Sequence, residues 1–134
     1  MPSDQATDAT LGGRVLIVDD YPDSATSASI LLGLFGCECR TAGSGREALE
    51  RAAELDPEIV LLDIGLPDIS GYEVARLLRA RQGHRRLYLV AVTGWGQAED
   101  RARALAAGFD QHVLKPTSAA TIRMILEHAA RARG

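Results

Sequence analysis

The chain has 134 residues, of which 46% are hydrophobic and 25% charged, a balance typical of one globular domain and unlike a disordered chain. Its formal net charge of −3 shows no excess of lysine and arginine, so bulk charge does not indicate direct binding of nucleic acid. No apolar stretch reaches the length of a transmembrane helix, and the two cysteines, Cys37 and Cys39, are too few for a disulfide framework, so we expect no membrane insertion and a reducing, cytoplasmic setting.

Short apolar runs alternate with longer amphipathic segments along the chain. We interpret residues 1–13 as a flexible leader, 14–130 as one domain and 131–134 as a C-terminal tail. The apolar runs predict strands at residues 15–18, 37–41, 59–62, 87–92 and 111–114, of which the second and the last are weaker. Ser44 with Glu47 and Ser70 with Glu73 have the spacing of capping boxes at helix starts. Two glycines lie where helices are expected to end, Gly36 and Gly108.

This alternation of strand and helix predicts an α/β fold: a doubly wound, five-stranded parallel sheet with helices on both faces. Ligands of such sheets bind at the carboxyl ends of the strands. The polar residues directly after the apolar runs are Asp19, Asp20, Asp63, Thr93 and Lys115. Each type alone is commonly a turn, a cap or a solvated side chain, but their position at successive strand ends favours one shared pocket.

Three carboxylates in one pocket repel one another unless a cation is present, and their oxygens suit Mg²⁺. A lysine and a hydroxyl beside that metal could neutralise and hydrogen-bond the oxygens of a phosphoryl group. The pattern therefore predicts phosphoryl transfer to a carboxylate. Asp63 is the candidate nucleophile because it follows the third strand, which we expect to be central.

Four motifs resemble the receiver domains of response regulators in two-component signalling, the family of the chemotaxis regulator. They are VLIVDD at 15–20, LLDIGLPD at 61–68, VTG at 92–94 and LKP at 114–116, and the resemblance covers about residues 14–130. It implies a flavodoxin-like receiver topology. It also implies a protein that is not an enzyme but assists its own phosphorylation and dephosphorylation. The implied partners are a sensor histidine kinase or phosphotransfer protein, as phosphohistidine donor, and a downstream protein target.

The resemblance also implies roles for single residues. Asp63 matches the phosphoacceptor, Thr93 the hydroxyl that moves towards the phosphoryl group, and Lys115 the lysine that pairs with it. The implied Mg²⁺ ligands are Asp19, which acts through water, Asp20, Asp63 and the backbone carbonyl of Gly65. The Lys115–Pro116 peptide is a candidate cis bond.

Two positions depart from the family pattern or add to it. His112 stands where the family often has a mobile tyrosine or phenylalanine. It is a candidate switch, although we favour an exposed side chain there. Trp95 lies two residues beyond Thr93, where it either gates the pocket or packs as a partly buried ring.

Several other interpretations compete with this one. Residues 43–48, with Gly43 and Gly45, fit a dinucleotide-binding fingerprint, although the capping box at Ser44 explains them without a ligand. A receiver-fold binding module that is never phosphorylated, or a receiver related to a hybrid kinase, also fits the sequence. A basic cluster, interpreted as a solvated helix end, comprises Arg79, Arg81, His84, Arg85 and Arg86.

Overall fold

The structure is a computed structural model that describes residues 13–82, 87–94, 98–115 and 117–133. Within these ranges five strands alternate with five helices. The strands are β1 (Arg14–Val18), β2 (Glu38–Ala42), β3 (Ile59–Asp63), β4 (Tyr88–Thr93) and β5 (Gln111–Leu114). The helices are α1 (Pro22–Leu34), α2 (Gly45–Leu55), α3 (Gly71–Gln82), α4 (Ala98–Ala107) and α5 (Ala119–Arg133). Helix α5 thus continues into the segment that we interpreted as a tail.

The five strands form one parallel sheet in the order β2-β1-β3-β4-β5. This confirms the predicted sheet, and β3 is its central strand. The two weaker strand candidates, β2 and β5, are the two edges. Edge strands have only one neighbour, and most of β2 is exposed or half-buried, so its sequence lacks a continuous apolar run.

Helices cover both faces of the sheet. Side chains such as Leu16 and Val18 face a core shared with α2, α3 and α4, while their neighbours Val15 and Ile17 face a second core shared with α1 and α5. Because successive side chains of a strand point to opposite faces, strands covered on both sides must be apolar throughout. The continuous apolar runs in the sequence are explained by this double coverage.

The helix boundaries follow local signals in the sequence. The hydroxyls of Ser44 and Ser70 accept hydrogen bonds from the backbone N–H of Glu47 (3.1 Å) and Glu73 (3.2 Å), as the capping boxes predict. Helices α1 and α4 are followed by glycines with positive φ, Gly36 (84°) and Gly108 (105°). Among the described residues, no helix combines the length and the apolar character needed to cross a membrane.

Arg79, at the end of α3, is a structural tie and not the solvated side chain that we predicted. Its guanidinium donates to the carbonyl oxygens of Gly108 (2.8 and 2.9 Å) and Leu87, and to a carboxylate oxygen of Asp110 at 2.6 Å. The same Asp110 oxygen accepts from the N–H of Leu89 at 2.9 Å. Arg79 therefore joins α3 to the amino-terminal ends of β4 and β5, at the edge of the sheet opposite the carboxyl ends.

Candidate functional site

Three carboxylates meet at the carboxyl end of the sheet. Asp19 and Asp20 follow β1, and Asp63 is the last residue of the adjacent strand β3. The β1–β3 register pairs Val18 with Leu62, which brings the next residues of the two strands side by side. One oxygen from each of the three carboxylates lies within 4.8 Å of the other two. The structure thus brings together the acidic residues that the sequence placed at separate strand ends.

Loop amides orient two of these carboxylates. The N–H of Tyr21 donates to Oδ1 of Asp19, and the N–H of Gly65 donates to Oδ1 of Asp63, both at 2.9 Å. Asp19 is buried and the Asp63 side chain is only 13% exposed, so neither carboxylate is freely solvated. Each therefore has Oδ1 bound to its own loop, while Oδ2 faces the pocket and Lys115.

Lys115, directly after β5, bridges Asp19 and Asp63. Its Nζ lies 3.0 Å from Oδ2 of Asp19 and 3.0 Å from Oδ2 of Asp63. Its backbone N–H donates to the carbonyl oxygen of Thr93 at 2.8 Å, which fixes the start of this loop against β4. Burial disfavours the ammonium charge, but the hydrogen bonds and the Coulomb attraction of Asp63 and Asp19 outweigh it and raise the pKa of Lys115.

The donor set of this pocket fits Mg²⁺. All three acidic side chains offer carboxylate oxygens, the hard ligands that this ion prefers, and one of them, Asp20, is exposed to solvent. The single ammonium of Lys115 leaves the three carboxylates with an excess of negative charge when all are ionised. A small dication that keeps some of its water would balance that excess.

Gly71 supports the end of β3 and was missed in the sequence. A Cβ at this position would lie 2.6 Å from Cα of Ile64 and 2.7 Å from the carbonyl oxygen of Asp63. The N–H of Gly71 also donates to the carbonyl oxygen of Ile64 at 2.9 Å. The first turn of α3 therefore packs directly on the backbone that presents Asp63. The only signal in the sequence is a glycine that follows a helix-capping serine.

Thr93, the last residue of β4, is buried, and its hydroxyl contacts His112 of β5. The Thr93 Oγ1 and His112 Nε2 atoms are 3.2 Å apart. His112 is half-buried, so the exposed side chain that we favoured is wrong. The reason is the β4–β5 register, which pairs His112 with Ala91. Thr93 lies two residues further along β4, on the same face of the sheet, and is therefore the diagonal neighbour of His112.

The glycine-rich segment before α2 has no room for a dinucleotide. The N–H groups of Gly45 and Arg46 donate to the two oxygens of Asp68 at 2.8 and 3.0 Å, so a carboxylate of the chain already occupies this helix N-terminus. These hydrogen bonds, that from Arg46 first, lower the pKa of Asp68. A Cβ at Gly45 would lie 2.9 Å from Cγ2 of Val74 and 3.0 Å from Cβ of Ile69. Close packing against α3 explains this glycine, and the dinucleotide interpretation is not supported.

A cleft of about 210 Å³ opens beside the carboxylates, between α1 and the loop after β5. Its floor is apolar, and its rim includes Asp23, Ser24, Ser27 and Thr117. Asp19 and Lys115 line the same cleft, so the pocket can be reached from the α1 side. Two further predictions, the gating role of Trp95 and the cis peptide before Pro116, concern residues outside the described ranges.

Known proteins share this sequence pattern and this fold. The chain is 37% identical over 107 residues to the DNA-binding response regulator MtrA of Mycolicibacterium smegmatis, an alignment that covers 80% of this chain and 46% of that protein. It is 32% identical over 124 residues to the sensor histidine kinase RcsC of Salmonella typhimurium, covering 92% of this chain and 13% of the kinase. The chemotaxis protein CheY4 of Vibrio cholerae superposes with a TM-score of 0.82 at 25% identity, over 88% of this chain and 98% of CheY4.

The chain spans about half the length, or less, of these two sequence relatives, whereas it matches nearly all of the chemotaxis protein. The similarity therefore extends over only part of each of the longer proteins. The family model for the response regulator receiver domain matches residues 15–127, from β1 into α5. With the sheet order and acidic strand ends described above, that match shows that the chain belongs to the response regulator receiver domain family.

Proposed function

We propose that this receiver domain accepts a phosphoryl group on Asp63 from a phosphohistidine donor, in a reaction that requires Mg²⁺. The observation that carries the proposal is the position of Asp63. Its carboxylate lies at the end of the central strand, with the Lys115 ammonium 3.0 Å away and two further carboxylates within 4.8 Å. The pocket thus offers a candidate nucleophile, a cation that can pair with phosphoryl oxygens and a set of oxygens that could hold a metal, which supports the proposal.

In this reaction an oxygen of Asp63 attacks the phosphorus atom, and the phosphorus–nitrogen bond of the phosphohistidine breaks. The electron pair of that bond stays on the imidazole nitrogen, and the product is an acyl phosphate on Asp63. Lys115 exchanges its contact with the carboxylate for a contact with a phosphoryl oxygen. The Thr93 hydroxyl donates a hydrogen bond to a second phosphoryl oxygen. The chain thus supplies positioning and charge, the main requirements of phosphoryl transfer.

Asp20, Asp63 and the Gly65 carbonyl would hold Mg²⁺ directly, and Asp19 through water. When bound, the metal supplies positive charge for the phosphoryl oxygens. Asp19 is buried and already bound to the N–H of Tyr21, so it fits an indirect role, while Asp20 is exposed and able to adjust its side chain.

The proposed partners are a sensor histidine kinase or a phosphotransfer protein as donor, and a protein target in the cytoplasm as receiver of the signal. The relatives support a kinase partner, because one is named a DNA-binding response regulator and another a sensor histidine kinase. When the acyl phosphate forms, a phosphoryl group takes the place of the free Asp63 carboxylate and changes the charge in the pocket. This change can shift the equilibrium between two conformations of the surface around β4 and β5.

Intact mass measurement after incubation with acetyl phosphate tests the proposal. We expect the wild-type protein to gain one phosphoryl group only when Mg²⁺ is present, and Asp63→Asn to gain none. Asp23→Asn is the matched control, because Asp23 is an exposed acid at the start of α1 beside the same cleft and should leave the gain intact. No gain in the wild type, repeated with a panel of phosphorylated histidine kinases, would favour a binding module that is not phosphorylated.

A further inference from the structure

The contact between Thr93 and His112 restricts the hydroxyl on which the proposed reaction depends. Oγ1 and Nε2 are at hydrogen-bond distance, 3.2 Å, and the Thr93 side chain is buried. The other ring nitrogen of His112, Nδ1, is also buried. The contact therefore joins a buried hydroxyl of β4 to a half-buried ring of β5.

A threonine hydroxyl has one proton to donate, although it can also accept. If Nε2 carries no proton, the hydroxyl must donate to it, and its proton is then committed to His112. If Nε2 carries a proton, the imidazole donates and the hydroxyl proton is not committed to His112. A phosphoryl oxygen on Asp63 needs that same proton. Only the second arrangement allows both hydrogen bonds to exist together.

We infer that His112 is a positioning residue for Thr93: its Nε2–H donates to Oγ1 in the phosphorylated protein and directs the hydroxyl proton to the phosphoryl group. The inference rests on the proposed function and adds a residue to it. The imidazole N–H, the hydroxyl and the phosphoryl oxygen then form a chain in which each hydrogen bond polarises the next. Phosphorylation and the Nε2-protonated form of His112 consequently stabilise each other.

Nitrogen-15 NMR of histidine-labelled protein tests the proton position directly. The chain has three histidines, and His112→Gln identifies the His112 signals. Spectra are recorded with Mg²⁺ alone and with Mg²⁺ plus beryllium fluoride, an analogue of the phosphoryl group on aspartate. We expect Nε2 of His112 to carry a proton in the beryllofluoride-loaded protein. An unprotonated Nε2 in that protein would overturn the inference.

A double-mutant cycle tests whether His112 acts through Thr93. Phosphorylation by acetyl phosphate is timed for the wild type, His112→Phe, Thr93→Val and the double variant. One hydrogen bond corresponds to a change of about fivefold, so we expect His112→Phe to slow the wild type by about that factor. Adding His112→Phe to the Thr93→Val variant should leave the phosphorylation rate of that variant unchanged. The amide of His112→Gln can donate from nearly the same position, so this variant should retain the wild-type rate to within about twofold.

The outcomes separate this inference from the proposed function. An equal loss of rate from His112→Phe in both backgrounds means that His112 acts independently of the hydroxyl, and the inference fails while Asp63 remains the phosphoacceptor. If His112→Gln is phosphorylated as slowly as His112→Phe, the inference is also contradicted, because a hydrogen-bond donor at this position would then not be enough to maintain the rate. A wild-type protein that takes neither phosphoryl group nor beryllofluoride overturns both proposals.

Discussion

Replacing Gly71 with alanine tests whether the first turn of α3 determines the position of Asp63. The added Cβ would lie 2.6 Å from Cα of Ile64 and 2.7 Å from the Asp63 carbonyl oxygen. Both atoms belong to the backbone, so neither can rotate away. Favourable contacts of this kind begin at about 3.5 Å, so helix and strand must separate by about 1 Å.

Two effects of different size should follow. Overpacking of this kind costs about 1–3 kcal/mol, so we expect Gly71→Ala to lower the free energy of unfolding by about 2 kcal/mol. A misplacement of about 1 Å can slow a reaction by about a hundredfold, so phosphorylation should slow by at least about tenfold. Gly33→Ala is the matched control, because Gly33 lies in α1 with no atom within 4 Å of its added Cβ. It should stabilise the fold by about 0.5–1 kcal/mol and leave the rate unchanged.

Urea unfolding gives the stabilities, and acetyl phosphate labelling, at a temperature where all three proteins are folded, gives the rates. A Gly71→Ala protein as stable as the wild type would refute the packing argument. A destabilised variant that is phosphorylated at the wild-type rate would show that Gly71 serves folding and does not position the phosphoacceptor.

Three further changes have expected outcomes. Lys115→Met should tighten Mg²⁺ binding by about tenfold in calorimetric titration, because the ammonium no longer competes with the metal for Asp19 and Asp63. The same change should slow phosphorylation. Weaker Mg²⁺ binding would contradict this prediction. Asp68→Asn should lower the free energy of unfolding near pH 7. The pKa of Asp68 is lower in the folded protein than its unfolded value of about 4, so the ionised carboxylate stabilises the fold above that pH. This stabilisation is lost as the pH falls through the pKa of the folded state. The difference from wild type should therefore narrow below about pH 4 in urea titrations, and a constant difference would exclude a charge effect. Arg79→Met should lower the free energy of unfolding by about 2 kcal/mol and leave the phosphorylation rate unchanged, since Arg79 lies at the far end of the sheet; a slower rate would reveal coupling between the two ends.

The fold could be predicted because its determinants are local. A parallel sheet covered on both faces requires apolar runs, and those of β1, β3 and β4 are continuous. In the same topology, residues that lie far apart along the chain come close together in space. Residues that follow neighbouring parallel strands lie at one edge, so Asp19, Asp63 and Lys115 could be assigned to one pocket without knowledge of any distance.

The features that could not be predicted depend on contacts between distant parts of the chain. Asp68 caps a helix 23 residues earlier, and Arg79 binds a carbonyl oxygen 29 residues later. Neither contact leaves a periodic pattern or a motif. The burial of His112 depends on the diagonal neighbour that the β4–β5 register gives it, whereas a histidine taken alone is more often partly exposed.

The order of the strands also has a consequence for folding. β1, β2 and β3 are adjacent in the sheet and end by residue 63, whereas Lys115 follows the last strand. A chain that has paired only its first three strands already gathers three carboxylates but has no ammonium among them. Docking of β5 therefore neutralises a charge cluster as well as completing the sheet. During synthesis the N-terminal part emerges first, so the three carboxylates precede the lysine that pairs with two of them.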